Sequence, residues 1–276
     1  MSEADAVPEG VDPARPSPAR LYDYYLGGTS NFESDRKMAD QIRELMPEIA
    51  DAAWANRGFH GRAAVWMARQ GIRQFIDLGS GLPTQNNTHQ AVSGAAPGAR
   101  VVYVDIDPMV AAYGAALLAP AAGRRTAVIT ADVRDPAGVL GHPELRRLID
   151  VSAPTGVLMT AVMHFVADSS DPWGLVAQYM AATAPGSYLA LSHSTSDNIP
   201  PRTVSGGLDL YSTADSSVTL RSRADVARFF DGLELVPPQP GAEPELTYVG
   251  LWGAEDLSAA DTDGSRATYC GVARRP

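Results

Sequence analysis

Three features of the sequence predict an α/β fold built on a parallel sheet. From residue 74 onward, short apolar runs alternate with helix-like stretches, the pattern of successive βα units. Two of those runs carry acids toward their C-terminal ends, at Asp77 and Asp105, and the first breaks into Gly79-Ser80-Gly81. A buried strand delivering its end to a ligand reads this way. Proline follows a capping residue at Asp107-Pro108, His142-Pro143 and Asp171-Pro172, which marks three helix starts.

Element by element, residues 1–16 are rich in Pro, Ala and acid and are expected to be a disordered tail. Ser17-Pro18 is an N-cap followed by a first-turn proline, so a helix runs through Tyr22, Tyr24 and Tyr25 until Gly27-Gly28 ends it. A second helix follows Asn31 and stops near Pro47. A third covers 48–70, with a break expected near Gly58 and Gly71 as its stop. Residues 17–71 therefore form a helical N-terminal cap on a domain of residues 72–276. In that domain strands are expected at 74–78, 101–105, 127–131, 156–163, 187–192, 233–237 and 268–273. Helices are expected at 84–95, 108–119, 142–150, 171–184 and 223–230. The polar segment 194–221 reads as an irregular substrate loop or lid.

Composition narrows the function. The 276 residues carry a formal net charge of -10 with no run of Lys and Arg, which argues against a nucleic-acid partner. No stretch approaches the ~18 apolar residues of a membrane span, and the N-terminus lacks the basic and apolar regions of a leader. A cytoplasmic protein is expected. Cys270 is the single cysteine, excluding an internal disulfide, and its apolar surroundings in sequence read as a buried, inert thiol. His60, His89 and His142 show no metal-ligand spacing.

The glycine turn carries the chemistry. A dinucleotide loop reads G-x-G-x-x-G, but here Pro83-Thr84 occupies the region of the third glycine, and Asp77 precedes the turn. A carboxylate there repels a pyrophosphate and suits the ammonium of an amino acid. Asp105 is placed to accept hydrogen bonds from ribose hydroxyls. The Asp77-x-Gly79-x-Gly81 order followed by a second acidic strand end resembles the S-adenosylmethionine (SAM) site of class I methyltransferases, and there the third strand end, here Ala131-Asp132-Val133, would face adenine, its carboxylate accepting the exocyclic amine and the next N–H reaching a ring nitrogen. The fourth apolar run leads into Thr160-Ala-Val-Met-His-Phe165, and in the SAM site that this order resembles, its end would lie beside the methionyl group and the methyl acceptor. These units in order point to SAM.

A resemblance extends this reading. Ser17-Pro-Ala-Arg-Leu-Tyr-Asp-Tyr-Tyr-Leu-Gly-Gly28, Asn31-Phe32, Asn56-Arg57, the run from Gln74 to Thr84 and Asn87-Thr-His89 resemble the actinobacterial family once catalogued as a domain of unknown function, DUF574, over about residues 16–275. That family is one of class I SAM-dependent methyltransferases. The resemblance implies a Rossmann-like sheet of seven strands, the last antiparallel, with helices on both faces. It supplies no methyl acceptor.

The expected cofactor-binding set is Tyr22, Asn31, Arg57, Asp77, Gly79, Ser80, Gly81, Thr84, Asp105, Ile106, Asp132, Val133 and Ala161. Two of its members have alternatives. Tyr22, with Tyr24 and Tyr25, either covers the pocket by cation–π contact or packs on the core. Arg57 either binds the methionine carboxylate or bridges the cap to Asp23 or Asp35. His164 is the candidate acid/base residue, against the alternative of a hydrogen-bonded core histidine, with His193 a weaker candidate. The expected function is methyl transfer to a small-molecule acceptor. The alternatives are a SAM-binding regulator without catalysis and a nicotinamide-dependent oxidoreductase.

Overall fold

Strand β1 (Gln74–Leu78) is buried along its whole length, as its apolar run requires. The computed structural model that places it describes residues 7–83, 86–118, 125–197, 199–212, 214 and 217–276. Strands β2 (Arg100–Asp105), β3 (Thr126–Thr130), β4 (Gly156–Thr160) and β5 (Tyr188–Ser194) join β1 in parallel. Strand β6 (Glu234–Leu235), the short β7 (Thr247–Tyr248) and β8 (Thr268–Arg274) complete the sheet, with β8 antiparallel to β5, β6 and β7. The order is β3-β2-β1-β4-β5-β8-β6, with β7 pairing on β8. The seven expected strands are present, and β7 is an addition. The order reverses between β1 and β4, so the loops leaving those strands diverge and open a crevice at their C-terminal ends.

Three helices form the N-terminal region: α1 (Pro18–Tyr25), α2 (Glu33–Leu45) and α3 (Ile49–Arg69). Ser17 caps α1 by accepting from the Arg20 N–H. Asp35 accepts the Phe32 N–H at the start of α2 and also takes the Arg20 guanidinium at 2.9 Å. Helix α3 runs unbroken through Gly58. Its buried Phe59, Ala63, Ala64 and Met67 pack on Phe75, Val101 and Leu158 of the sheet, which outweighs the ~1 kcal/mol helix penalty of one glycine. Residues 7–16 also depart from expectation. Val11 packs with Leu82, Met109 and Val110, Arg20 donates to the carbonyls of Asp12 and Arg15, and the Ser34 hydroxyl donates to that of Pro13.

The remaining helices are α4 (Thr88–Ala91), α5 (Pro108–Leu118), α6 (Pro136–Gly141), α7 (Pro143–Leu148), α8 (Pro172–Ala181), α9 (Pro201–Tyr211), α10 (Arg223–Ala227) and α11 (Leu257–Ala260). Helices α6, α9 and α11 were not expected. The helix expected over 84–95 is reduced to α4 and a 3-10 turn, Val92–Gly94. Strand β4 stops at Thr160 rather than 163, because Ala161 adopts φ 55° and Met163–Phe165 form a 3-10 turn. One core layer gathers Ile76, Val102, Val157 and Leu189 with Val176 and Phe230, and α3 covers the opposite face. Leu21, Tyr25, Met38 and Ile42 form a separate core among α1, α2 and α3, against which Leu210 and Tyr211 of α9 pack. Among the described residues no helix is long and apolar enough to cross a membrane.

Candidate functional site

A cavity of about 710 Å³ lies over the C-terminal ends of β1–β4, roofed by α1, α2, α3 and α9. That is within the roughly 300–1,000 Å³ of small-molecule sites. Gly79 and Gly81 form its floor at φ 67° and 64°. A Cβ on Gly79 would lie 2.2 Å from the Val162 side chain, so the turn and the chain after β4 can meet only at glycine. At Gly81 a Cβ would meet no atom within 4 Å. The Gly79 and Ser80 N–H groups donate to the Val104 carbonyl, tying the turn to β2.

Asp105, at the end of β2, lines the cavity with each carboxylate oxygen held. The Gly81 N–H donates to Oδ2 at 2.8 Å and the Asp107 N–H to Oδ1 at 3.0 Å. Burial raises its pKa to about 6, even though those two N–H groups pull it down. Ile106 is 55% exposed and borders the same cavity. Asp132 and Val133 line it beyond Ile106. The Asp132 carboxylate is forked by Arg134 at 2.6–3.0 Å, an engagement the sequence did not suggest.

Asp77 is buried and reaches a small crevice that it shares with Arg57, Ser80 and Gly81. Its connection to the main cavity is a chain of hydrogen bonds. Thr88 Oγ1 donates to Asp77 at 2.6 Å, His60 Nε2 lies 2.8 Å from Thr88 Oγ1, and His60 Nδ1 lies 2.9 Å from Thr160 Oγ1. With the Thr88 proton committed to the carboxylate, His60 donates from Nε2 and its Nδ1 accepts the Thr160 proton. Thr160 and His60 both line the main cavity, so Thr160 is left to present lone pairs there. Burial raises the Asp77 pKa to about 6 and, with the Arg57 charge, lowers that of His60 to about 3, so the imidazole is neutral.

Arg57 borders both spaces, and its guanidinium lies 3.4 Å from Asn87 Oδ1. Of the acids weighed as its partners, Asp35 takes Arg20, while Asp23 accepts the Ser30 N–H and the Asn31 amide. Tyr22 lines the cavity and is fixed by donating to the Ala53 carbonyl and accepting from the Asn56 amide. Asn56 Oδ1 in turn accepts from Ser192, whose oxygen accepts the Ala161 N–H. Ala161 also lines the cavity.

Asn31 does not line it. Its amide donates to Asp23 and to the Gly28 carbonyl, and its side-chain oxygen takes Arg36, which fastens the turn after α1. Thr84 lies outside the described residues.

His164 lies in the 3-10 turn after β4 and lines the cavity while 7% exposed. Its Nδ1 has no hydrogen-bond partner among the described residues. Burial, then His193 and Arg221, hold its pKa well below the usual value, so the ring is neutral. His193 does not line the cavity. Its Nδ1 lies 2.7 Å from the Ser194 carbonyl and its Nε2 accepts from Arg221, which commits both nitrogens. Cys270 is buried.

His60 and Asn56 were not singled out from the sequence as ligand residues. With Arg57 they form a polar group at positions i, i+1 and i+4 of an otherwise Ala-rich helix, and that cluster was the available signal.

The arrangement offers glycine backbone, an oriented carboxylate, a buried arginine and a neutral histidine around one cavity. The profile of a family described as S-adenosyl methyltransferase matches residues 4–276. Among solved structures the chain is similar to a DUF574 family protein of Streptomyces avermitilis MA-4680, at 38% identity and TM-score 0.86, covering 95% of this chain and 98% of that one. It is similar also to a protein of Thermobifida fusca YX described as a candidate methyltransferase, at 38% identity and TM-score 0.87, covering 97% and 98%. TnmH, at 18% identity and TM-score 0.50, covering 93% of this chain and 67% of that one, shares the fold alone. No curated protein matches the chain. Matched along nearly its whole length, the chain belongs to the S-adenosyl methyltransferase family and is a SAM-dependent methyltransferase.

Proposed function

We propose that the enzyme methylates a small-molecule acceptor inside this cavity, with SAM held by the turn after β1 and the ends of β2 and β3. The observation that carries the reading is the continuity of one cavity from Gly79–Gly81 and Asp105 to His164. The residues present fit the cofactor. Asp105 is oriented by two backbone amides toward a space that a side chain at position 81 would begin to fill.

Bound SAM supplies a sulfonium methyl group as electrophile. Asp105 accepts from the ribose hydroxyls, and Ile106 offers an exposed apolar surface to the adenine, with Asp132 and the Val133 N–H at its edge. Arg57 attracts the methionine carboxylate. The Asp77 charge favours the ammonium, and Thr160 is an acceptor for it. Tyr22 and the rest of the cap exclude water, so alignment does most of the work of the transfer. His164, neutral and with an uncommitted nitrogen, takes the proton that leaves an acceptor O–H or N–H.

The test is turnover, followed as S-adenosylhomocysteine (SAH) release, across a panel of small phenols, alcohols and amines, set against peptides and RNA. Release with a member of the small-molecule panel, reduced in His164→Gln without loss of SAH affinity, supports the reading. Release only with a macromolecule contradicts it. Binding of SAH without turnover of any acceptor would favour a regulatory role.

A further inference from the structure

The cavity extends beyond the space a cofactor would occupy at the strand ends. Its far part is walled by Ile42 and Met46 at the end of α2, Ala53 of α3, and Val204 and Leu208 of α9. Charged lining residues such as Arg57, Asp105, Asp107 and Asp132 lie at the strand-end side, whereas no described lining residue from α2 or α9 is charged. Phe165 and Tyr211 add aromatic walls, their ring centroids 6.2 Å apart.

Two observations indicate that this part receives a ligand. Helix α9 is amphipathic, with Val204, Leu208 and Tyr211 on one face, yet none of its described side chains is fully buried. Tyr25 is 5% exposed and lines the cavity, and its hydroxyl has no hydrogen-bond partner among the described residues. A buried hydroxyl without a partner is costly, and a polar atom on an incoming molecule would satisfy it.

We propose that the space between α2 and α9 is the acceptor chamber and that it takes a neutral, largely apolar aromatic molecule anchored through one polar atom on the Tyr25 hydroxyl. This rests on the methyltransferase reading of the same cavity. An acidic or cationic acceptor would lose hydration there with no charged lining residue on α2 or α9 to offset it, and Arg43 and Asp40 of α2, which act with opposite signs on the Tyr25 hydroxyl, pair with each other at 3.5 Å. Leu45, 38% exposed, lines the cavity from α2, and Gly206 lets α9 approach it closely, since a Cβ there would lie 2.9 Å from Leu45 Cδ1.

The test uses 2-naphthol and 2-naphthoate as a neutral and an anionic probe of similar shape, titrated calorimetrically into the full chain with and without saturating SAH. Gly207 lines the chamber, and a Cβ on it meets nothing within 4 Å, so Gly207→Phe fills the space without a backbone clash. Val204→Asp is a second variant that adds charge instead of bulk. The expected result is that 2-naphthol binds at least ~tenfold more tightly than 2-naphthoate. Each variant should weaken 2-naphthol by at least ~tenfold while SAH affinity and thermal unfolding stay close to wild type. No 2-naphthol binding, equal binding of both probes, or undiminished binding in both folded variants would overturn the chamber. Failure of SAH itself to bind would instead overturn the cofactor reading, and the titrations without SAH would still judge the chamber.

Discussion

Replacing Asp77 with Asn should stabilise the ligand-free protein at neutral pH while weakening its hold on the cofactor. Burial raises the Asp77 pKa from 3.8 to about 6, with the Thr88 hydrogen bond and the Arg57 charge limiting the rise. A raised carboxyl pKa means that the folded protein binds this proton more tightly than the unfolded chain does. The group therefore favours folding most below the unfolded value of 3.8. That advantage is lost as pH rises toward about 6, and at pH 7 the fold carries a buried charge. A shift of about two pH units at ~1.4 kcal/mol each bounds the cost near 3 kcal/mol. Asn can still accept the Thr88 proton but brings an amide donor to be satisfied, so the expected net gain is about 1–2 kcal/mol. Urea unfolding of wild type and Asp77→Asn at pH 7 and pH 4 reads the difference, which should shrink at the lower pH. Calorimetric titration at pH 7 should show SAH affinity reduced by about tenfold or more, since the proposed ammonium site loses the Asp77 charge. A variant less stable by the same amount at both pH values would rule out the buried charge as the cause, and one binding SAH as tightly as wild type would rule out Asp77 as the ammonium's partner.

Asp105→Ala should keep the fold and weaken SAH by at least ~tenfold, read by calorimetry, because charge-assisted hydrogen bonds contribute about 1.5–3 kcal/mol. Gly79→Ala should destabilise the protein by about 2–5 kcal/mol in denaturant unfolding, since the methyl would strike Val162 and the backbone sits at φ 67°. Arg20→Met should cost about 3 kcal/mol in the same assay, because it leaves Asp35, fully buried at the start of α2, with backbone N–H donors but no cation.

Strands β1, β2, β4 and β5 were legible because their apolar runs are buried, which leaves a continuous signal in sequence; in β3 only Ile129 is buried, and its apolar residues still marked it. The overrun of β4 has the opposite cause. Ala161, Val162 and Met163 are as apolar as a strand, but the close approach of Val162 to Gly79 requires the chain to turn at Ala161, and no residue type there announces it. Helix α9 was hidden because Gly206 and Gly207 dilute its apolar face, and those glycines make sense only beside Leu45 and an open chamber. The position of Asp105 and the glycine turn at the strand ends that line the cavity was readable from local order. His60 was not, because its role depends on Thr88 and Thr160, which are 28 and 100 residues away. Asn31 belonged to a recognisable motif, yet the same motif builds the turn that fastens α1 to α2, and sequence alone does not separate the two uses.

In the proposed mode, one cavity holds SAM through the ends of β1–β3 and opens toward His164 and α9. A crystal structure of the full chain with SAH tests it most directly. The ribose hydroxyls should lie on Asp105, the adenine beside Ile106 and Val133, the carboxylate toward Arg57, and the sulfur facing the His164 end. SAH bound with its adenine toward α9, or outside this cavity, would contradict it.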